Sequence, residues 1–245
     1  MELINVNVLV TGSSRGLGKA IILEYAKNGN DVIINYNNSK KEALELKDYV
    51  ESTYHVKTLV IKCDISKESE IDFMIDEIYK EFGHLDVLVN NASIDLDQDF
   101  ELKTKSEFMK TIEVNLVGTY LVSKKIGLKM LERKNGNIIN ISSTNGIDTP
   151  YPESIDYDAS KAGVISLTHN FAIYFSPYIR VNTICPGWIN TDMSKTLSDD
   201  FRDKELDKIL LGRFAEPEEI ANLAYFLGTD KASYINDSII RIDGG

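Results

Sequence analysis

The residues best placed to do chemistry are Tyr157 and Lys161, which stand four positions apart. One helical turn separates such residues, so the two side chains would share a helix face. A free tyrosine has a pKa of about 10 and exchanges protons slowly at neutral pH. A nearby ammonium group stabilises the phenolate and lowers that pKa. The pair is therefore suited to proton transfer, with Tyr157 as the acid or base and Lys161 as the group that tunes it.

The spacing alone does not single out this pair. It occurs at three places: Tyr36 with Lys40, Tyr120 with Lys124, and Tyr157 with Lys161. Only the third pair follows a strand-like run that ends in two serines, Ser142 and Ser143. A serine hydroxyl there could bond a substrate oxygen and stabilise its developing charge. Alternation along a strand would point the two hydroxyls in different directions, so both serines remain candidates.

The elements that would position these residues alternate along the chain. Apolar, β-branched runs predict strands at 5–10, 32–35, 58–63, 87–90, 137–141, 180–184 and 239–242. Helices are predicted near 17–28, 40–53, 68–82, 105–132, 158–175 and 217–228. This alternation predicts an α/β fold, a doubly wound parallel sheet with helices on both faces. No proline- or glycine-rich linker interrupts it, so residues 1–245 are predicted to form a single domain.

Residues at the predicted element ends fit this scheme. Ser66 is expected to cap the third helix, and Pro217 to begin the last one. Glycines at 29, 83 and 228 are expected to end three helices. The stretch from 188 to 213 is longer than an ordinary connection, which predicts a substrate lid.

Composition excludes several classes of function. The net charge of -11 argues against nucleic acid and against an anionic membrane face. No signal peptide and no apolar run of roughly 18 residues is apparent. Cys63 and Cys185 lie in strand-like runs and are expected to be buried thiols in a reducing cytoplasm. The three histidines lack ligand spacing, so no metal site is predicted.

The first predicted strand leads into a glycine-rich turn, Thr11-Gly12-Ser13-Ser14-Arg15-Gly16-Leu17-Gly18. Gly12 would permit the tight turn, Gly16 would let the backbone approach a pyrophosphate, and Gly18 would allow close helix–strand packing. Amide groups at the start of the helix favour a bound phosphate. A dinucleotide site is therefore predicted here.

The Gly-x-x-x-Gly-x-Gly spacing resembles that of the short-chain dehydrogenase/reductase family, and the likeness spans essentially the whole chain. Further similar segments are Asn90-Asn91-Ala92-Ser93, Pro186-Gly187 and the closing Asp243-Gly244-Gly245. The resemblance implies a Rossmann-type fold and an NAD(P)-dependent oxidoreductase that reduces a ketone to a secondary alcohol. The catalytic residues it implies are Asn115, Ser143, Tyr157 and Lys161.

Within that set Tyr157 would be the proton donor and Lys161 would also hold the nicotinamide ribose. Asn115 would complete a water-mediated proton relay to the lysine; alternatively, it satisfies a helix kink. A scaffold or sensor that binds NADP without turnover is the less favoured alternative for the whole chain.

The resemblance also implies a set of cofactor contacts along the cleft. They are Gly12, Ser14, Arg15, Gly16, Leu17, Gly18, Asn37, Asp64, Ile65, Asn91, Ala92, Tyr157, Lys161, Pro186, Gly187, Ile189 and Thr191. Asp64 would bond the adenine amino group; the alternative is that it caps the following helix.

NADP (NADPH) is predicted in preference to NAD. The end of the second strand carries no carboxylate that would repel a 2′-phosphate. Arg15 is a basic residue that the family often uses for this phosphate. Lys40 and Lys41 either assist or form a solvated helix start. NADP-preferring relatives often carry an arginine near Asn37, and this chain has none there.

The substrate is less defined. Residues 211–220 resemble 3-oxoacyl-acyl-carrier-protein reductases, which implies a small-molecule carbonyl substrate carried on an acyl-carrier protein. Acidic carriers would dock on basic residues such as Arg133 and Lys134. Sugar, steroid or small-alcohol dehydrogenases of the same family are the alternatives.

The pocket is expected to form from residues 93–100, 144–156 and 188–213, with Tyr151, Trp188 and Met193 as an apolar wall. Family members usually assemble as homotetramers, so a homotetramer or homodimer is expected. The interface would use the helices near 105–132 and 158–175, although their apolar residues could equally be core.

Overall fold

The computed structural model describes residues 6–191, 194 and 197–245. In this part of the chain seven parallel strands form one sheet in the order β3-β2-β1-β4-β5-β6-β7. The strands are β1 (Asn7–Val10), β2 (Asp31–Tyr36), β3 (Thr58–Lys62), β4 (Val87–Asn90), β5 (Gly136–Ile141), β6 (Ile179–Pro186) and β7 (Ile239–Ile242). The strand order reverses between β1 and β4. The crevice at the carboxyl ends of such strands is where doubly wound proteins bind ligands.

Helices cover both faces of the sheet. They are α1 (Gly16–Lys27), α2 (Lys40–Tyr54), α3 (Glu68–Phe82), α4 (Lys105–Ile112), α5 (Thr119–Arg133), α6 (Ile155–Phe175), α7 (Asp199–Leu206) and α8 (Pro217–Gly228). Along β1, Val8 and Val10 pack with the α1, α2 and α8 side, whereas Leu9 packs with the α3, α5 and α6 side. The predicted doubly wound sheet is therefore confirmed. Residue 5, where the first strand was expected to begin, lies outside the described residues.

The long helix predicted at 105–132 is interrupted. A π-helical turn, Glu113–Gly118, separates α4 from α5 and carries Asn115. Gly118 lies against the carbonyl oxygen of Ile65, which a Cβ atom would approach to 2.8 Å. Single π turns of this kind are frequent at functional sites.

One expectation about helix ends is wrong, and another holds only for the position of the helix end. Ser66 does not cap α3, because its hydroxyl donates to Asp64 Oδ1 at 2.7 Å and the helix begins one residue later, after Lys67. Gly228 does not end α8 in a left-handed conformation. It is instead the last residue of the helix, where a side chain would collide with the hydroxyl of Tyr25.

The other two glycines behave as expected, with φ of 78° at Gly29 and 75° at Gly83. Pro217 begins α8, next to a capping box formed by Glu216 and Glu219. Cys63 and Cys185 are both buried free thiols.

The described residues provide neither a candidate membrane span nor a candidate metal cluster. None of the helices seen there has the length and hydrophobicity that a membrane span requires. The same residues contain no cluster of three or more His, Cys, Asp or Glu side chains that could hold a metal ion.

Candidate active site

Tyr157 and Lys161 lie in the first two turns of α6, beside the carboxyl end of β5. Lys161 Nζ is 5.2 Å from the centroid of the Tyr157 ring and donates to the carbonyl oxygen of Ile141 at 3.0 Å. Lys161 is only 3% exposed. Tyr120 and Lys124 have a similar geometry, at 5.5 Å, but both are exposed on α5. Burial therefore distinguishes the pair that the sequence could identify only by its position.

Burial also sets the protonation of the pair. It lowers the pKa of Lys161 to about 8, against the opposing effect of the Asp95 carboxylate. It raises the pKa of Tyr157 well above its usual value; Asp95 adds to this effect and a hydrogen bond with Ser143 opposes it. The expectation that Tyr157 has a lowered pKa is wrong for this state of the protein, because desolvation outweighs the effect of the lysine. Tyr157 is thus held protonated, as a proton donor requires.

The two serines after β5 have different surroundings. Ser142 Oγ donates to the backbone oxygen of Lys161 at 2.8 Å and fixes the start of α6 against the strand. Ser143 is the serine close enough to Tyr157 to lower its pKa, and its hydroxyl donates to Asn145 Oδ1 at 2.9 Å. Ser143 therefore faces the reactive tyrosine, and Ser142 does not.

Asn115 bonds the loop that follows β4. Its side chain accepts from the backbone N–H of Ile94 and donates to the Ile94 oxygen, both at 2.8 Å. It also donates to Ser160 Oγ at 3.1 Å, on the turn of α6 between Tyr157 and Lys161. Asn115 thus joins the π turn, the loop and α6, and it reaches Lys161 only through this neighbour.

The glycine-rich turn is shaped as a cradle for phosphate. Gly12 and Gly16 have φ of 62° and 54°, a region that side chains rarely adopt. A Cβ atom at Gly12 would lie 2.8 Å from Ala92 Cα, and one at Gly18 would lie 2.6 Å from Asn91 Nδ2. At Gly16 the nearest atom would be Thr191 Cγ2 at 4.0 Å, so this backbone is open to a ligand. The turn, with the free amides at the start of α1, fits a pyrophosphate.

The residues behind the turn fix its shape. Thr11 Oγ1 accepts from the backbone N–H groups of Asn91 and Ala92, both at 3.0 Å. The N–H of Gly12 donates to Asn35 Oδ1 at 2.9 Å. These bonds tie the turn to β2 and β4, its neighbours in the sheet.

On the adenosine side of the predicted site, Asp64 already accepts hydrogen bonds from a neighbouring residue. Asp64 accepts from the backbone N–H and the hydroxyl of Ser66 at 3.1 and 2.7 Å. Burial raises its pKa, but the bonds from Ser66 and Asn37 and the charge of Lys67 bring it below its usual value. Asp64 thus closes the turn before α3. This local role is compatible with a hydrogen bond from Asp64 to the adenine amino group. Ile65 is buried next to it.

Basic side chains near the predicted 2′-phosphate position are exposed. Arg15 precedes α1 and Lys40 begins α2. Lys41 forms a loose surface pair with Glu45 at 3.8 Å, as a solvated helix start would.

The nicotinamide side lies after β6. Gly187 donates its N–H to the oxygen of Ile242, and Ile189 pairs with Ala215 in an isolated bridge. Thr191 bonds Ser194 through its backbone. Ser14 and Leu17 lie in the glycine-rich turn, and Pro186 ends β6.

Two of the residues predicted to form an apolar pocket wall, Tyr151 and Trp188, pack together and rest on Glu205 of α7. Tyr151 Oη and Trp188 Nε1 both donate to Glu205 Oε2, at 2.6 and 3.1 Å. Lys208 pairs with the other carboxylate oxygen at 2.6 Å. Met193, expected in the same wall, lies outside the described residues.

Sequence reasoning missed two acidic residues of this site, Glu205 and Asp95. Asp95 lies in the loop after β4 and acts on the pKa values of both Tyr157 and Lys161. The only signal was its place within residues 93–100, a segment that was expected to line the pocket.

Comparison with known proteins gives consistent matches. The sequence profile of the family described as Enoyl-(Acyl carrier protein) reductase matches residues 12–245. The 3-oxoacyl-[acyl-carrier-protein] reductase of Staphylococcus epidermidis is 39% identical over 242 residues, which is 98% of both chains. The enzyme of that name from Aquifex aeolicus is 37% identical over 238 residues, 97% of this chain and 95% of its own.

Two solved structures extend the comparison to the fold. Levodione reductase superposes with a TM-score of 0.93 at 30% identity, covering 99% of this chain and 97% of that chain. The 3-oxoacyl-[acyl-carrier protein] reductase of Brucella melitensis superposes with a TM-score of 0.92 at 27% identity, covering 99% and 91%.

Proposed function

Since the chain belongs to the short-chain dehydrogenase/reductase family and is an NAD(P)-dependent oxidoreductase, we propose that it reduces the keto group of a 3-oxoacyl thioester with NADPH. The observation that carries the proposal is the half-buried, protonated Tyr157 beside Ser143 and the buried Lys161. The relatives named for 3-oxoacyl reduction support the substrate class.

The cofactor would lie across the carboxyl ends of β1, β4 and β6. NADPH supplies a hydride to the carbonyl carbon when it is bound. The turn from Gly12 to Gly18 would hold the pyrophosphate, and Arg15 would meet the 2′-phosphate. Tyr157 and Lys161 would hold the nicotinamide ribose. The remaining predicted contacts are Asn37, Asp64 and Ile65 on the adenosine side, Asn91 and Ala92 behind the turn, and Pro186, Gly187, Ile189 and Thr191 after β6.

The chain's own residues supply the proton and the orientation. Tyr157 donates its hydroxyl proton to the carbonyl oxygen as charge develops there. Ser143 donates a hydrogen bond to the same oxygen and stabilises that charge. The Lys161 ammonium stabilises the phenolate left on Tyr157, and Asn115 positions the surrounding loop and α6.

The proposal concerns the thioester and does not depend on carrier docking. Arg133 donates to the oxygen of Leu85 at 3.1 Å and pairs with Asp86 at 3.2 Å. Lys134 lies over the ring of Tyr178, 5.2 Å from its centroid. Both residues precede β5. Within one chain they therefore lie at the amino ends of the strands, whereas the site lies at the carboxyl ends.

A small ketone is the second candidate substrate. The similarity to levodione reductase over nearly the whole chain favours it. The two substrates require the same Tyr157 chemistry and differ in what the pocket must accommodate.

The test is NADPH consumption with an acetoacetyl thioester and with a small cyclic ketone, using wild type and Tyr157→Phe. We expect the substitution to lower kcat by a factor of about 100 to 10,000, because the proton donor is lost. NADPH binding, measured by fluorescence, should persist. Tyr120→Phe is the matched control, since it removes the hydroxyl from the exposed pair and should leave turnover unchanged.

Near-wild-type turnover in Tyr157→Phe would contradict the mechanism. Faster reduction of the cyclic ketone than of the thioester by wild type would favour the second substrate. NADPH binding without turnover of either would indicate a binding protein.

A further inference from the structure

The loop that follows β4 is held by hydrogen bonds at four of its residues, on both sides of Asp95. Asn115 holds both backbone groups of Ile94, and Lys103 Nζ donates to the oxygen of Leu96. The hydroxyl of Ser154 donates to Asp97, and the N–H of Gln98 donates to the oxygen of Glu153 at 3.2 Å. Asp95 lies in the middle of this loop, which holds its backbone in place.

Lys103 is already neutralised by a different carboxylate. It forms an ion pair of 2.9 Å with Asp156, and both side chains are almost fully buried. The other oxygen of Asp156 accepts from Thr111 Oγ1 at 2.7 Å. Removing one member of such a pair leaves an uncompensated buried charge, so Lys103 is committed to Asp156. This pair also ties the loop to α6, one residue before Tyr157.

The carboxyl group of Asp95 forms no ion pair within the described residues, and the side chain that bonds it is another acid, Asp97. Asp95 Oδ1 is buried and accepts no hydrogen bond from any residue in the described ranges. It lies close enough to Tyr157 and Lys161 to raise both of their pKa values. Burial and the neighbouring Asp97 raise the pKa of Asp95 itself to about 7. A buried acceptor without a donor is destabilising, so a donor arriving here would be bound favourably.

We propose that Asp95 is a specificity-determining residue whose carboxyl group accepts a hydrogen bond from a hydroxyl or ammonium group carried by the substrate next to its reacting ketone. The inference rests on the proposed function, because it places that ketone at Tyr157. The preferred substrate class is then a ketone with a donor group beside it. A bare hydrocarbon chain would leave Asp95 Oδ1 buried without a donor.

The test compares two N-acetylcysteamine thioesters of equal size. One carries the 3-oxopentanoyl chain, and in the other the terminal methyl group is replaced by a hydroxyl. We expect wild type to prefer the hydroxylated compound in kcat/KM by about 10-fold to 100-fold, since the site discriminates by a buried hydrogen bond. In Asp95→Leu the ratio should fall to about one, because any effect of the lost charge on Lys161 acts equally on both compounds.

Asp99→Leu is the matched control, because Asp99 lies in the same loop but its side chain is exposed. It should keep the wild-type ratio. Asp95→Asn keeps the shape and one acceptor oxygen, so it should show an intermediate ratio even if the leucine variant does not fold. A wild-type ratio in both Asp95 variants would overturn the inference.

A binding measurement separates this inference from the proposed function. Trp188 is the only tryptophan and lies in the pocket wall, so its fluorescence reports occupancy. If wild type reduces neither thioester, the proposed function fails. Tighter binding of the hydroxylated compound with NADP⁺, lost in Asp95→Leu, would still support the role of Asp95. Equal binding of the two compounds would refute it.

Discussion

At the scale of single residues, burial acts in opposite directions on the pKa values of Tyr157 and Lys161. Burial and the Asp95 carboxylate hold the proton on Tyr157, while Lys161 loses part of its affinity for its own proton. These shifts have opposite signs but one cause, since burial disfavours whichever form of a group is charged. Tyr157 would give up its proton only when negative charge develops on the substrate oxygen.

This environment predicts a pH dependence. The Lys161 ammonium should be lost as the pH rises through about 8, because burial lowers its pKa to that value. The kcat/KM for NADPH, which reports the free enzyme, should therefore be level below about 8 and fall about tenfold per pH unit above it. Asp95→Asn removes a negative charge that raises the Lys161 pKa, so the decline should begin at lower pH.

Asp99→Asn provides the control for this profile, since it removes an exposed charge from the same loop. Its kcat/KM for NADPH should begin to fall at the same pH as that of wild type. Cys185 also acts on Lys161, but its own pKa is raised by burial, so it stays a neutral thiol through this range. An unchanged profile in Asp95→Asn would show that the Asp95 carboxylate does not act on Lys161.

The sequence could predict the reactive residues but not their acidic neighbours. Tyr157 and Lys161 could be placed because they follow a strand that ends in Ser142 and Ser143. Asp95 is one of 38 acidic residues in the chain, and its contact with Tyr157 depends on how the β4 loop packs onto α6. Such contacts arise from tertiary structure and leave no periodic pattern.

At the scale of elements, the buried strands could be predicted from the sequence and the mostly charged helix α7 could not. The central strands are buried on both faces, so their apolar runs are continuous and each was found within two residues of its ends. Helix α7 was missed because its residues, Asp-Asp-Phe-Arg-Asp-Lys-Glu-Leu, are mostly charged and form no apolar stripe. It is held by a few specific contacts, above all those of the buried Glu205.

Glu205 therefore offers a test of the predicted lid. Glu205→Ala removes the acceptor shared by Tyr151 and Trp188 and should loosen α7 from the pocket wall. We expect KM for the carbonyl substrate to rise by about 10-fold, since two hydrogen bonds to a charged group are lost, with a smaller change in kcat. Steady-state kinetics and a red shift of Trp188 fluorescence would measure the two effects.

Asp203→Ala is the matched variant on the exposed face of the same helix, and it should leave KM and the emission unchanged. A large loss of kcat at constant KM in Glu205→Ala would argue that Glu205 acts in the chemistry and not in closing the pocket.

At the scale of the whole molecule, charge opposes the approach of an acidic partner. The chain carries 38 acidic and 27 basic residues, a net charge of -11. The basic pair considered for docking, Arg133 and Lys134, lies at the sheet edge away from the site, and Arg133 is already paired with Asp86. Within one chain, an acidic carrier protein would therefore meet a surface of its own sign.

This predicts a salt dependence that separates the two forms of a thioester substrate. For a 3-oxoacyl group on an acidic carrier protein, kcat/KM should rise as ionic strength increases from about 0.01 to 0.15 M, because the screening length shortens from about 30 to 8 Å. The same group on N-acetylcysteamine is uncharged, so its kcat/KM should stay constant and serve as the control. Both substrates are measured with one enzyme preparation, so the ratio of the two kcat/KM values cancels any effect of salt on the stability of the enzyme. A fall in kcat/KM for the carrier-bound group alone would reveal a basic docking surface that outweighs the net charge.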